Sequence, residues 1–172
     1  MRKILRPPEL VDDAWRYAGE IVADSDPAAQ SAAGTIVPLT QFLADPAAHS
    51  GPNSQAVGVR VGPADKVEDL APHLDGIALV AVEFPSIGEG RGYSFARLLR
   101  QQYGFKGEIR AVGAAVKRDL LLAMARTGFD AFELAPGQDL KQALEGLSTF
   151  TLAYQAAVPV KSVQTPRFAA QG

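Results

Sequence analysis

Between Gln55 and Leu147 the chain alternates short apolar runs with helical stretches, and few architectures accommodate that pattern. "AVGVRV" (56–61) reads as a strand, β-branched at Val57, Val59 and Val61, closed by "GPAD". "KVEDLAPHL" follows, with Val67, Leu70 and Leu74 spaced for one buried helical face. "GIALVAVEF" (76–84) is apolar on both faces until Glu83, as expected of an interior parallel strand. "GEIRAVGA" (107–114) and "FDAFEL" (129–134) supply two more strands. The helices between them are predicted to bury Phe95, Leu98 and Leu99, then Val116, Leu120 and Met124, with Gly104 and Gly128 as stops. "DLKQALEGL" adds a last helix with Leu140, Ala143, Leu144 and Leu147 inward. Strands separated by helices of about ten residues imply parallel βα units with right-handed crossovers. The expected fold is therefore α/β: an incomplete (β/α)-barrel-like sheet or an open twisted one, the former preferred. The chain is too short for eight units.

At 172 residues a single domain is expected, with residues 1–54 irregular, 55–157 forming the βα core and 158–172 a flexible tail. The first third offers one short element around Trp15, and "TIVPLTQFL" an apolar start followed by a helical turn. "STFTLAYQAAVPV" fits strand and helix periods alike. No apolar run approaches the roughly 18–20 residues that cross a bilayer, and the basic start lacks the apolar stretch of a signal peptide, so a cytoplasmic location is expected. The chain has no cysteine, which excludes disulfides, thiolate nucleophiles and cysteine-held clusters; with two histidines in turn-like contexts, no metal site is expected. Redox chemistry would need an organic cofactor or a partner, and the residues specify no cofactor. Neither nucleic acid nor membrane is expected as a partner.

"GEGRGYS" (88–94) stands after the strand ending Phe84, where ligands bind in parallel βα architectures. Gly88, Gly90 and Gly92 offer positive φ and close backbone approach, Ser94 an N-cap, and Arg91 a bidentate fork for an oxyanion. These residues form a candidate small-anion site. The spacing is neither a dinucleotide fingerprint nor a phosphate-binding loop with its lysine, and a plain turn with Arg91 paired to Glu83 or Glu89 explains it as well. Glu83 and Glu89 are the weak catalytic candidates, Glu83 as a strand-end proton acceptor. Residues 89–126 hold eight basic residues against three acidic, a solvated face or a field for an acidic partner, with Arg97 and Arg100 as docking residues. An uncovered sheet margin would favour a homodimer.

"FPSIGEGRGYSFARLLRQQYGFKGEIRAVG" followed by "RTGFDAFEL" resembles domain of unknown function 934, a bacterial family, and "IVPLTQFL" and "GVRVGPAD" extend the resemblance to about residues 35–155. The resemblance implies an oxidoreductase-like or accessory role in assimilatory sulfite reduction, beside sulfite reductase or an electron-transfer protein. Two departures stand out: Glu89 occupies the place of the family's usual aspartate before Gly-Arg-Gly, and Ala114 that of an aspartate after AVG, with Lys117, Arg118 and Asp119 keeping part of the polar set. Three functions are thus expected to compete. One is an accessory or oxidoreductase-like component of sulfite reduction that binds an anion. The others are an interaction protein docking through a basic face, and a small enzyme acting on an anionic metabolite.

Overall fold

The structure is a computed structural model that describes residues 2–19, 34–49 and 56–149. Eight strands form one sheet: β1 (Lys3–Arg6), β2 (Glu9–Asp12), β3 (Trp15–Tyr17), β4 (Gly34–Pro38), β5 (Ala56–Val61), β6 (Ile77–Glu83), β7 (Glu108–Val112) and β8 (Ala131–Phe132). Their spatial order is β2-β1-β8-β7-β6-β5-β4-β3, with β3 to β8 all parallel and β1 antiparallel to both of its neighbours. Sequential parallel strands are thus spatial neighbours, as in a (β/α) barrel.

The sheet curls because its two margins share one stretch of chain. β2 and β3 are separated only by Asp13 and Ala14, a span of at most about 11 Å. The segment Glu9–Tyr17 pairs with β1 along its first part and with β4 along its last. The barrel-like form expected from the sequence is the one observed. The described part of the N-terminal third, residues 2–19 and 34–49, is not irregular, however. It supplies four strands, and the margin expected to drive a homodimer lies along this shared segment.

Each strand presents one stripe of side chains to either side. On the outer side Val57, Val59, Val61, Val80, Val82, Ile109, Ala111 and Phe132 pack against the helices in the main core. Those helices are α1 (Leu39–Ala44), a 3₁₀ stretch over Val67–Gly76, α2 (Arg91–Arg97), α3 (Leu121–Thr127) and α4 (Leu140–Thr149). On the inner side Ile36, Leu79, Ala81 and Val112 meet Trp15 and Tyr17. A Cβ on Gly58 would stand 3.2 Å from the Trp15 ring, so the absence of a side chain there makes room for the indole. The inside of the curl is packed, not open.

Two helix boundaries follow the sequence reading and one does not. Gly128 ends α3 in the left-handed region at φ +114°, and Gly104 ends the α2 segment at φ +64°. α2 begins at Arg91 and not at Ser94, so Ser94 lies inside the helix and caps nothing; after Arg97 the segment widens into a π turn over Leu98–Gln102. The α4 segment ends the described chain, and the ambiguous stretch from Phe150 onward lies outside it.

Candidate functional site at the strand-end rim

The inner face carries charge as well as apolar packing. Arg110, at the middle of β7, is 1% exposed and donates from Nη1 to Asp13 Oδ1 at 2.9 Å and from Nε to Glu108 Oε1 at 2.9 Å. Arg6 pairs with the same Glu108. Arg2 Nε donates to Asp13 Oδ2 at 2.7 Å, and Trp15 N donates to Asp13 Oδ1 at 3.1 Å. The Asp13 carboxylate therefore joins β7, the start of β1 and the kink between β2 and β3. Arg2 also donates to Trp15 O at 3.0 Å and lies over the Tyr17 ring, 4.7 Å from its centroid. Tyr17 donates its hydroxyl to Glu133 Oε2 at 2.8 Å, tying the end of β3 to the end of β8. Burial, and then the Glu133 charge, push the Tyr17 hydroxyl well above its ordinary pKa of 10.0. These contacts clamp the segment that closes the curl.

At the carboxyl ends of β5 and β6 the arrangement is looser. Glu83 ends β6 on the inner face with one ion pair among the described residues, to Arg60 Nε at 4.0 Å. The β5 turn beside it is rigid: Gly62 N donates to Asp65 Oδ2 at 2.7 Å, and Asp65 N to Gly62 O at 3.1 Å. Arg91 reaches that turn from the start of α2 and donates from Nη1 to Pro63 O at 2.9 Å, while its side chain stays 67% exposed. Its ionic neighbour is Glu89, 3.9 Å away, and Glu89 Oε1 also accepts from Arg91 N at 3.2 Å. Glu83 is not its partner.

The glycine loop differs from expectation in its backbone. Gly88, Gly90 and Gly92 do not adopt positive φ; Gly90 sits at φ −89°, ψ −10°. A Cβ on Gly88 or Gly90 would meet nothing within 4 Å, whereas one on Gly92 would lie 2.7 Å from Phe84 Cε1. Gly92 is a packing residue that lets α2 rest on Phe84. With Arg91 N bonded to Glu89 Oε1 and Ser94 inside the helix, the loop has neither the positive-φ backbone nor the Ser94 N-cap expected of it. Arg91 alone among the loop residues presents a donor-rich group to solvent at this rim.

Chain proximity also misplaces the docking residues. Arg97 is exposed and donates to Gln101 Oε1 at 3.2 Å, and it lines a groove of about 300 Å³ with Ser94, Leu98, Gln101 and Gln102. Arg100, by contrast, is turned inward at 15% side-chain exposure. It donates to Gly128 O at 3.2 Å, Phe105 O at 2.7 Å and Gly107 O at 2.9 Å, and it pairs with Asp130. It binds α2 to the loops that precede β7 and β8. With Arg110 on the inner face as well, the basic stretch 89–126 does not make a single surface.

Residues 58–165 match the family model DUF934, described as a bacterial protein of unknown function. The chain belongs to the DUF934 family. A search of curated proteins finds no match. In this DUF934 chain Ala114 is exposed in the loop after β7 on the same rim. No described helix is long and apolar enough to cross a membrane, and no described group of three His, Cys, Asp or Glu is disposed to hold a metal.

Asp13, Tyr17, Arg2, Arg60, Arg110 and Glu133 were not singled out by motif. Two signals pointed to some of them. Asp13, Trp15 and Tyr17 in "DAWRY" alternate with period 2, and "AVEFP" (81–85) and "AFELAP" (131–136) are two strand ends with glutamate at the same place.

Proposed function

We propose that this DUF934 protein is an accessory, oxidoreductase-like component of assimilatory sulfite reduction that takes a small oxyanion on the β5–β6 side of the rim. The supporting observation is Arg91: one bond to Pro63 O holds its guanidinium in place, and most of the group remains in solvent with only a 3.9 Å ionic neighbour. Such a fork recognises the paired oxygens of sulfate, sulfite or phosphate. Arg60, similarly loose against Glu83, adds positive potential at the same turn. The pathway comes from the family resemblance, and with it a cytoplasmic place beside a sulfite reductase or electron carrier.

Thermal melting in sulfate, sulfite and phosphate tests the site. An anion at ten times its Kd stabilises by about 1.4 kcal/mol, which is a rise of roughly 3–5 °C for a chain of this size. Arg91→Ala should abolish the rise without lowering the melting temperature in its absence. An unchanged rise in Arg91→Ala would refute the assignment.

A second reading has its own observation. Arg97 and the groove beside it suit an acidic segment of a partner reductase, with Arg97 as the contact. Recovery of that partner from cell extract should then fall with salt and with Arg97→Glu alone. Arg100 has no place in this docking surface.

A further inference from the structure

On the β5–β6 side of the rim two opposite charges approach one rigid turn without meeting. A Cβ on Gly62 would lie 3.7 Å from Glu83 Oε2, so the carboxylate stands beside the first residue of the turn. Arg91 binds the carbonyl of the next residue, Pro63. Glu83 has its ion pair with Arg60 and Arg91 has its own with Glu89, both near the 4 Å limit of contact. The two hydrogen bonds between Gly62 and Asp65 keep the spacer closed. The rim therefore offers an anionic acceptor beside Gly62 and a cationic donor fork on Pro63, neighbouring residues of one turn.

A fully deprotonated oxyanion with no other donor uses only the fork, and Glu83 repels it. A ligand that also carries a hydrogen-bond donor uses both groups. An ammonium would bring its charge to within reach of Arg60, which is 4.0 Å from the Glu83 carboxylate. A hydroxyl donates to the carboxylate and adds no charge. We infer that the rim ligand is a hydroxylated organic oxyanion, its phosphate, sulfate or sulfonate group on Arg91 and its hydroxyl on Glu83. This inference rests on the oxyanion reading of Arg91 and goes further in naming the ligand class.

Calorimetric titration of the full chain at about pH 8 with methyl phosphate and with glycerol 3-phosphate, both proton-free dianions at the phosphate there, tests it. The added charge-assisted hydrogen bond should make glycerol 3-phosphate bind at least about tenfold more tightly than methyl phosphate. Glu83→Ala should bring the two affinities together while methyl phosphate binding persists, and Arg91→Ala should lose both. Glu83→Gln, which keeps the side-chain shape, should give a smaller preference than wild type and keeps the comparison readable if the alanine variant unfolds. Equal binding of the two probes by the wild type, or an unchanged preference in both Glu83 variants, overturns the inference and leaves Arg91 as a simple oxyanion site. No binding of either probe overturns both.

Discussion

Asp13 holds three donors at once, from Arg2, Arg110 and the backbone of Trp15. Removing it leaves the Arg110 guanidinium inside the curl with Glu108 alone. Asp13→Ala should therefore cost about 3–5 kcal/mol, the range for breaking a buried pair from one side, measured by urea denaturation. A loss below about 1 kcal/mol would mean that Arg110 finds another outlet. Gly92 makes a sharper local contrast. Its alanine variant drives a methyl into the Phe84 ring and should lose about 1–3 kcal/mol, while Gly90→Ala, with nothing within 4 Å, should stay within about 0.5 kcal/mol. Tyr17 predicts a pH dependence. Its folded pKa is raised, so its contribution is complete below pH 10.0 and is lost as pH rises toward the folded value. Stability should fall with pH above about 10, and Tyr17→Phe should flatten that slope. An identical alkaline slope in the variant would remove Tyr17 from the clamp.

Arg100 decides how α2 is seated. Its donors reach three carbonyls on two loops, so Arg100→Ala leaves three part-buried acceptors without it and should cost roughly 2 kcal/mol. Arg97→Ala on the same helix should change stability by less than about 0.5 kcal/mol. Matching losses from the two would contradict their opposite orientations. Nothing in "ARLLRQQ" separates them, because both arginines fall outside the Phe95–Leu99 stripe; only the fold shows that Gly107, Gly128 and Asp130 lie under one of them. β5, β6 and β7 were legible because their apolar runs are long or β-branched and end at glycine or proline. β1, β2 and β3 were not: strands of three or four residues carry too little periodicity, and "DAWRY" reads equally as helix or strand. The glycine loop misled for a different reason. Its glycines suggest backbone freedom, yet Gly92 serves helix packing, and Glu89 supplies the helix start with the negative charge that an external anion was expected to bring.

For the whole molecule, the N-terminal segment is a structural member and not an appendage. Deleting residues 2–17 would remove three strands and uncover Ile36, Leu79 and Ala81, so the truncated chain should lose its cooperative thermal transition. A truncated protein that melts like the full chain would contradict the closing role of Glu9–Tyr17. The curl also determines which charges can act together. Arg91, Arg100 and Arg110 are close in sequence, yet one faces solvent at the strand-end rim, one staples loops and one is buried inside. The proposed rim site therefore depends on a few side chains held by the β5 turn and the start of α2. Titrating phosphate into the isotope-labelled protein and following backbone amide shifts tests this most directly. Saturable shifts centred on residues 62–65 and 83–91, and lost in Arg91→Ala, are the predicted result; no saturable shift, or shifts centred on the Ser94–Gln102 groove, would contradict it.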